Sequence, residues 1–312
     1  MESDTNEKIE NVRKNLYGIW GQSKQTQSLF NYVKKENAKG GSLIITGFDS
    51  RHSSNYSKKY YITQLDSVVK TKNLSVLKES EYTIFKKIAS DLISKEYGHE
   101  PKKSDKDIFF KTLDKILTQL EMTGHSDSQF WLQELKNLKG NANSVWNDKD
   151  NRRESVNQRD RQMADNLLWL VQQKFKNEKI IVWAANYHIA KNDNQVVKQK
   201  YYDHEEHETM GEILAPLLGD KMVNIGFTSS SGQYTDVTYK NTKRDIKVSP
   251  NSLEGLLDNT QYHYGFINFK KHQLDNIEPF TMSPFAHFEL QGKWNHVFDG
   301  VFYIRRMTPS EF

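Results

Sequence analysis

Apolar residues recur at helical spacing through the first half of this chain and gather into short runs in the second. Residues 1 to about 39 are highly charged, with sparse apolar positions at Leu29, Phe30 and Val33, and read as largely helical. GGSLIITGFDS, Gly40 to Ser50, reads as a short buried strand followed by a polar loop. Between about Ser75 and Leu138 the texture changes. Phe85, Ile88 and Leu92 lie three and four residues apart, as do Phe109, Leu113, Ile116 and Leu120. Phe130, Leu132 and Leu135 mark a third helical piece, and Pro101 and Gly124 punctuate the three. This pattern predicts a helical insertion, a cap or lid packed against the strand-containing part.

Gly140 to Glu154 reads as a polar bridge. A helix is predicted over about 156–175, with Met163, Leu167, Leu170 and Val171 on its buried side. A strand follows at Lys179 to Ala185. Helix then strand repeats in MGEILAPLLGD and KMVNIGFTSSSG, and further strands are predicted at Tyr264 to Lys270 and Asp299 to Met307. Two helix–strand steps predict an α/β fold, a largely parallel sheet flanked by helices, with the helical insertion or cap added. The expected division is 1–74 for an N-terminal helix plus the first core strand, 75–139 for the cap, and 140–312 for the rest of the α/β core.

The 312 residues suffice for one large α/β domain or two smaller ones. Aromatics reach 12%, which argues against disorder although charged residues make up 27%. A net charge of +4 over this length gives no reason to expect nucleic acid or an anionic surface as partner. There is no cysteine, so disulfides and thiolate chemistry are out. The first fifteen residues hold no apolar signal core and no 18-residue apolar run exists, so no membrane partner is expected. Cytoplasmic residence is the default expectation, with export as part of a longer precursor left open. The GxGxxG, GxxxxGK[ST] and GxSxG patterns are all missing.

In open parallel sheets ligands collect beyond the C-terminal strand ends. On that rule Asp49, then Asn186 with His188, then Thr228 to Ser231 are expected on one rim. His188 is either a general base or a structural imidazole bonded to a loop carbonyl. Asn186 either orients it or closes an Asx turn. Asp49 either binds a hydroxylated ligand or caps the segment that follows, with Arg51 and His52 beside it. Arg159, Met163 and Asn166 share one helical face, where the guanidinium would clamp a carboxylate or oxyanion, or else tie the helix to the sheet. DHEEHETM, with His204 and His207, reads as a solvated turn, since no HExxH is present. No metal and no cofactor are expected.

Four stretches in order carry a resemblance: SLIITGFD, QRDRQMADNLLWL, IIVWAANYHIAKN and MGEILAPLLGDKMVNIGFTSSSG, with HVFDGVFYIRRMTP closing the chain. Over about Trp20 to Pro309 the sequence resembles the erythromycin esterase family. The resemblance implies an α/β core with added helices and hydrolysis of an ester or lactone by activated water, without a metal. It implies a small-molecule substrate or ligand and matches His188 and Asn186 to its pattern. Taken with the residue readings above, His188 and Arg159 are expected as catalytic residues, and Asp49, Asn186 and His52 as substrate-binding ones. Two departures change what is expected. The family's early GExxHG-like motif and the acidic residue after it are absent, as in an N-terminally truncated piece or a remnant that lacks an inner strand. In the family's WAHNxH pattern, His188 and Asn186 match and Ala185 replaces the first histidine. An alanine side chain neither moves a proton nor donates a hydrogen bond, so catalysis is expected to be impaired or absent. The alternatives are a working hydrolase with His52 as substitute base, and a non-catalytic binding or scaffold protein.

Overall fold

Helical periodicity in the first half builds a bundle with its own interior. The computed structural model describes residues 5–52, 54–74, 78–94, 100–123, 126–147, 151–199, 202, 207–236, 242–272 and 277–311. The chain forms two compact units, Met1–Asn166 with Glu311–Phe312, and Leu167–Ser310. The first holds α1 (Thr5–Asn15), α2 (Gly18–Gly21), α3 (Gln27–Ala38), α4 (Asn55–Thr71), α5 (Glu79–Ser94), α6 (Lys103–Thr123), α7 (Ser126–Asn147) and most of α8 (Arg152–Trp169). Ser54 caps α4, its hydroxyl accepting from the Ser57 amide at 2.9 Å.

Tyr61 and Leu65 of α4, Phe85 and Ile88 of α5, Leu113 and Ile116 of α6, and Leu135 and Leu138 of α7 belong to one buried apolar cluster. The Phe109 ring lies between Phe85, stacked at 5.3 Å, and Trp146, edge-on at 5.5 Å. Each of these helices offers one apolar stripe, and burying the stripes together removes them from water.

In the second unit a π-helical turn, Leu170–Lys174, leads to α9 (Asn186–Ile189), α10 (Met210–Leu218), α11 (Leu253–Asp258) and α12 (Trp294–Val297). The strands are β1 (Ile225–Asp236), β2 (Thr242–Asp245), β3 (Tyr264–Asn268), β4 (Phe280–Phe285), β5 (Phe288–Gly292) and β6 (Gly300–Met307). Four of them form a sheet ordered β2-β1-β6-β3, and β4 pairs with β5 alone. Among the described strands only β1 and β6 run parallel, with Phe227 opposite Phe302. β3 lies antiparallel to β6 with Phe266 opposite Phe302, and β2 antiparallel to β1. Met282, Phe285, Trp294, Phe298 and Val301 fill a second apolar cluster.

This overturns the expected α/β fold with a largely parallel sheet. The protein is 57% helix and 16% strand, and its sheets are small, open and mixed. The runs 43–48 and 180–185, expected to be core strands, carry no ladder, and Ile44 and Ile181 are 66% and 96% exposed. An apolar run becomes a strand only when a neighbour accepts from its amides and donates to its carbonyls, and that neighbour is not encoded in the run. Thr228 to Ser231 lie inside β1 and not beyond its end. The bridge expected at Gly140 to Glu154 is helical through Asn147 and again from Arg152. The apolar stripe of α6 packs on α5 and α7 within that buried cluster.

Phe109→Ala is expected to cost about 3–5 kcal/mol in urea unfolding, through lost transfer energy and the cavity left behind. Phe130→Ala, at a position 52% exposed, should cost no more than about 0.5 kcal/mol. Equal losses at the two positions would refute this core.

Candidate active site

In the first unit the candidate chemistry sits on the loop 48–52, which α7 and α8 hold from beneath. Asn166 of α8 is the anchor. Its amide nitrogen donates to the Phe48 carbonyl at 2.6 Å and to Asn137 Oδ1 at 2.5 Å. Its amide oxygen accepts from Gln133 at 2.5 Å and Gln162 at 3.1 Å. Gly140 lets α7 approach this network, since a Cβ there would lie 2.9 Å from the Gln162 side chain. A cluster of buried amides is stable only when its donors and acceptors are matched, as they are here.

Two turns earlier on α8, Arg159 grips Asp49 through two parallel bonds, Nε to Oδ1 at 3.1 Å and a terminal nitrogen to Oδ2 at 2.5 Å. Such fork-to-carboxylate pairing is the strongest geometry these groups have. Asp49 Oδ1 also accepts the Arg51 amide at 3.2 Å, which folds the loop into a tight turn. Burial pushes the Asp49 carboxyl up, but the Arg159 bonds and charge outweigh it, helped by Arg51, and hold it below the ordinary value of 3.8. Its side chain keeps 37% exposure, so solvent screens part of this effect.

His52 closes the loop. Its side chain is 7% exposed, and its Nε2 lies 3.1 Å from Glu134 Oε2 on α7. The ring meets Tyr61 edge-on at 5.0 Å, and the Tyr61 hydroxyl donates to the Glu134 carbonyl at 3.3 Å. Burial, then the nearby Glu134 charge, pushes the Tyr61 phenol well above its usual range, so it stays a donor. The loop's Ser50 is buried, and among the described residues neither Ser50 Oγ nor His52 Nδ1 has a hydrogen-bond partner.

Asn186 and His188 lie in the second unit, on α9. Asn186 spends its amide on backbone: it donates to the carbonyls of Phe227 at 2.6 Å and Pro284 at 2.8 Å, and accepts the Phe227 amide at 3.0 Å. It thereby ties the α9 turn to β1 and β4. His188, half-buried, packs against Tyr187 at 5.4 Å. Beyond it the chain is clamped. Thr209 donates to the Ala190 carbonyl at 2.6 Å, Asn224 donates to that of Ile189, and Lys191 pairs with Asp299 at 2.7 Å. Gly211 is required here, because a Cβ would stand 2.2 Å from the Ile189 carbonyl oxygen. Thr228 donates to the fully buried Glu254 at 2.5 Å. Burial pushes that carboxyl up, against the bonds from Thr228 and Ser283 that lower it.

Asp49, His52 and Arg159 are thus brought together in the first unit, and Asn186 with His188 in the second. Sequence patterning passed over Glu134, Gln133 and Asn137. For Gln133 and Asn137 the signal was present: polar residues on the inner side of a helix whose neighbours Leu132 and Leu135 are core. His207, expected in a solvated turn, is buried, its Nδ1 3.6 Å from Asp193 Oδ2, while Tyr202 donates to the same carboxylate. His204 lies outside the described residues. Among the described residues no three His, Cys, Asp or Glu side chains group as a metal ion would need, and no helix is long and apolar enough to cross a membrane.

Asn166→Ala strands Phe48, Asn137 and Gln133 groups, and at roughly 1–3 kcal/mol for a buried group left unpaired it should cost about 2–4 kcal/mol. Amide exchange in the loop 48–52 should quicken in the same variant, and unchanged exchange would deny the anchoring role. Because the Asp49 carboxyl is depressed, its contribution is full above the unfolded-state value and is lost as pH falls through the folded one. The stability gap between wild type and Asp49→Asn should therefore be flat at neutral pH and shrink below about pH 4. A gap that widened on acidification would contradict the ion pair.

The sequence profile of the Erythromycin esterase family matches residues 1–308. The "Putative hydrolase YbfO" of Bacillus subtilis (strain 168) is 26% identical over 326 residues, covering 96% of this chain and 71% of that protein. A crystal structure of a Bacillus cereus protein shares the fold, with a TM-score of 0.74 at 17% identity over 98% of this chain and 79% of that one. So does an erythromycin esterase mutant, EreC, in its open conformation, with a TM-score of 0.62 at 12% identity over 99% of this chain and 81% of that one. The chain belongs to the erythromycin esterase family.

Proposed function

We propose that this chain is an erythromycin-esterase-like hydrolase that cleaves an ester or lactone of a small molecule by activated water, with catalysis impaired. The observation that carries this is the loop 48–52, held at Phe48, Asp49 and His52 by three separate contacts to α7 and α8. Functional groups work when their supports fix them to a fraction of an ångström, and this loop has such supports on both helices. Impairment follows from Ala185, where the family pattern places a histidine. Attack by water on an ester needs a positioned base and a stabilised oxyanion. In this reading His188 and His52 are the imidazoles left for the first task, and Arg159 is the cation for the second.

A non-catalytic, ligand-binding role is the second reading. It is favoured by the Asp49–Arg159 pair, which holds the carboxylate below its ordinary range and leaves it a poor base. Proton transfer by a placed side chain contributes about 10²–10⁴-fold, so Ala185→His is expected to raise kcat on a panel of esters and lactones by about tenfold or more. His188→Ala should lower a slow wild-type rate. Fast wild-type turnover abolished by His188→Ala would contradict the impairment. Binding without turnover, unchanged in Ala185→His, would favour the second reading.

A further inference from the structure

We propose that Glu134 is a positioning residue that fixes the proton of His52 on Nε2, leaving Nδ1 of the same ring to take the proton of the attacking water. The proposal rests on the hydrolase reading above and names the atom that does its proton transfer.

An ionised carboxylate can only accept, so the 3.1 Å contact with Glu134 places a hydrogen on Nε2 of His52. In the neutral ring the lone pair is then on Nδ1. That atom is buried and, among the described residues, without a hydrogen-bond partner, as is Oγ of Ser50 two residues earlier. Buried polar atoms without partners are uncommon, and two in one five-residue loop mark a place where a polar molecule is to be received. The ring is held from two sides. Glu134 holds one edge, Tyr61 packs against it at 5.0 Å, and Trp131 backs Tyr61 at 5.6 Å. Glu134 is itself tethered, since its own carbonyl accepts the Tyr61 hydroxyl. A base oriented by a carboxylate on its far nitrogen is the arrangement that recurs where imidazoles move protons.

The step balances. Water oxygen adds to the ester carbonyl while Nδ1 takes one water proton. The tetrahedral intermediate expels the alkoxide, which recovers that proton from Nδ1. Acid and alcohol leave, and the ring returns to its starting state.

Nitrogen-filtered proton spectra of the full chain test the positioning. The Nε2–H of His52, assigned by its loss in His52→Gln, should be visible at neutral pH, vanish through solvent exchange in Glu134→Ala, and return in Glu134→Gln. On any ester or lactone that turns over, Glu134→Ala should lower kcat tenfold or more with KM little changed, and Glu134→Gln should recover part of it. Thermal melts of both variants separate this from unfolding. A proton found on Nδ1, or a ring signal indifferent to Glu134→Ala, overturns the proposal. Turnover that survives His52→Gln overturns it while leaving the hydrolase reading intact. Absence of turnover on every ester and lactone removes that reading and the base role with it, while the ring signal still decides whether Glu134 fixes the proton.

Discussion

The buried amide of Asn166 is the contact on which the first unit's chemistry depends. It joins α7, α8 and the Phe48 carbonyl in one matched set of bonds. A loop of mixed polar residues has little reason of its own to hold one conformation, because fixing each residue costs about 1–2 kcal/mol of backbone entropy. Here the cost is offset by contacts that enter from helices already fixed by their apolar core. Remove the amide and Asp49, Ser50 and His52 lose a common reference. The Arg159 fork and the Glu134–His52 contact then orient side chains whose backbone is already placed.

The second unit follows the same logic with different parts. Asn186 could have faced a ligand, but its amide is committed to the backbone of β1 and β4. That commitment sets the α9 turn, and so the position of His188. Thr209, Asn224 and Gly211 fix the continuation of the chain. In this chain Asn186, Thr209, Gly211 and Asn224 therefore act by shaping and fixing turns.

Much of the helical part is legible in the sequence. The stripes on α5, α6 and α7 announce themselves, because a helix needs only local hydrogen bonds and one apolar face. The sheet is legible only in part. β1, β3 and β6 coincide with apolar runs, yet 43–48 and 180–185 look the same in sequence and form no ladder. Strand pairing is non-local, so the run cannot report it. For the site, Asp49, His52, Asn166 and Arg159 stand out by their polar character at special places, whereas Glu134 looks like one more surface charge on a long helix. Its role depends on a ring 82 residues earlier in the chain, and no spacing rule connects the two.

Hydrolysis by activated water is the central claim, and isotope labelling tests it most directly. With excess protein and an ester or lactone in ¹⁸O-water, the account predicts one ¹⁸O in the acid product, none in the alcohol, and no change in the mass of the protein during the reaction. A transient acyl adduct on the chain, or no labelled acid at all, would contradict it.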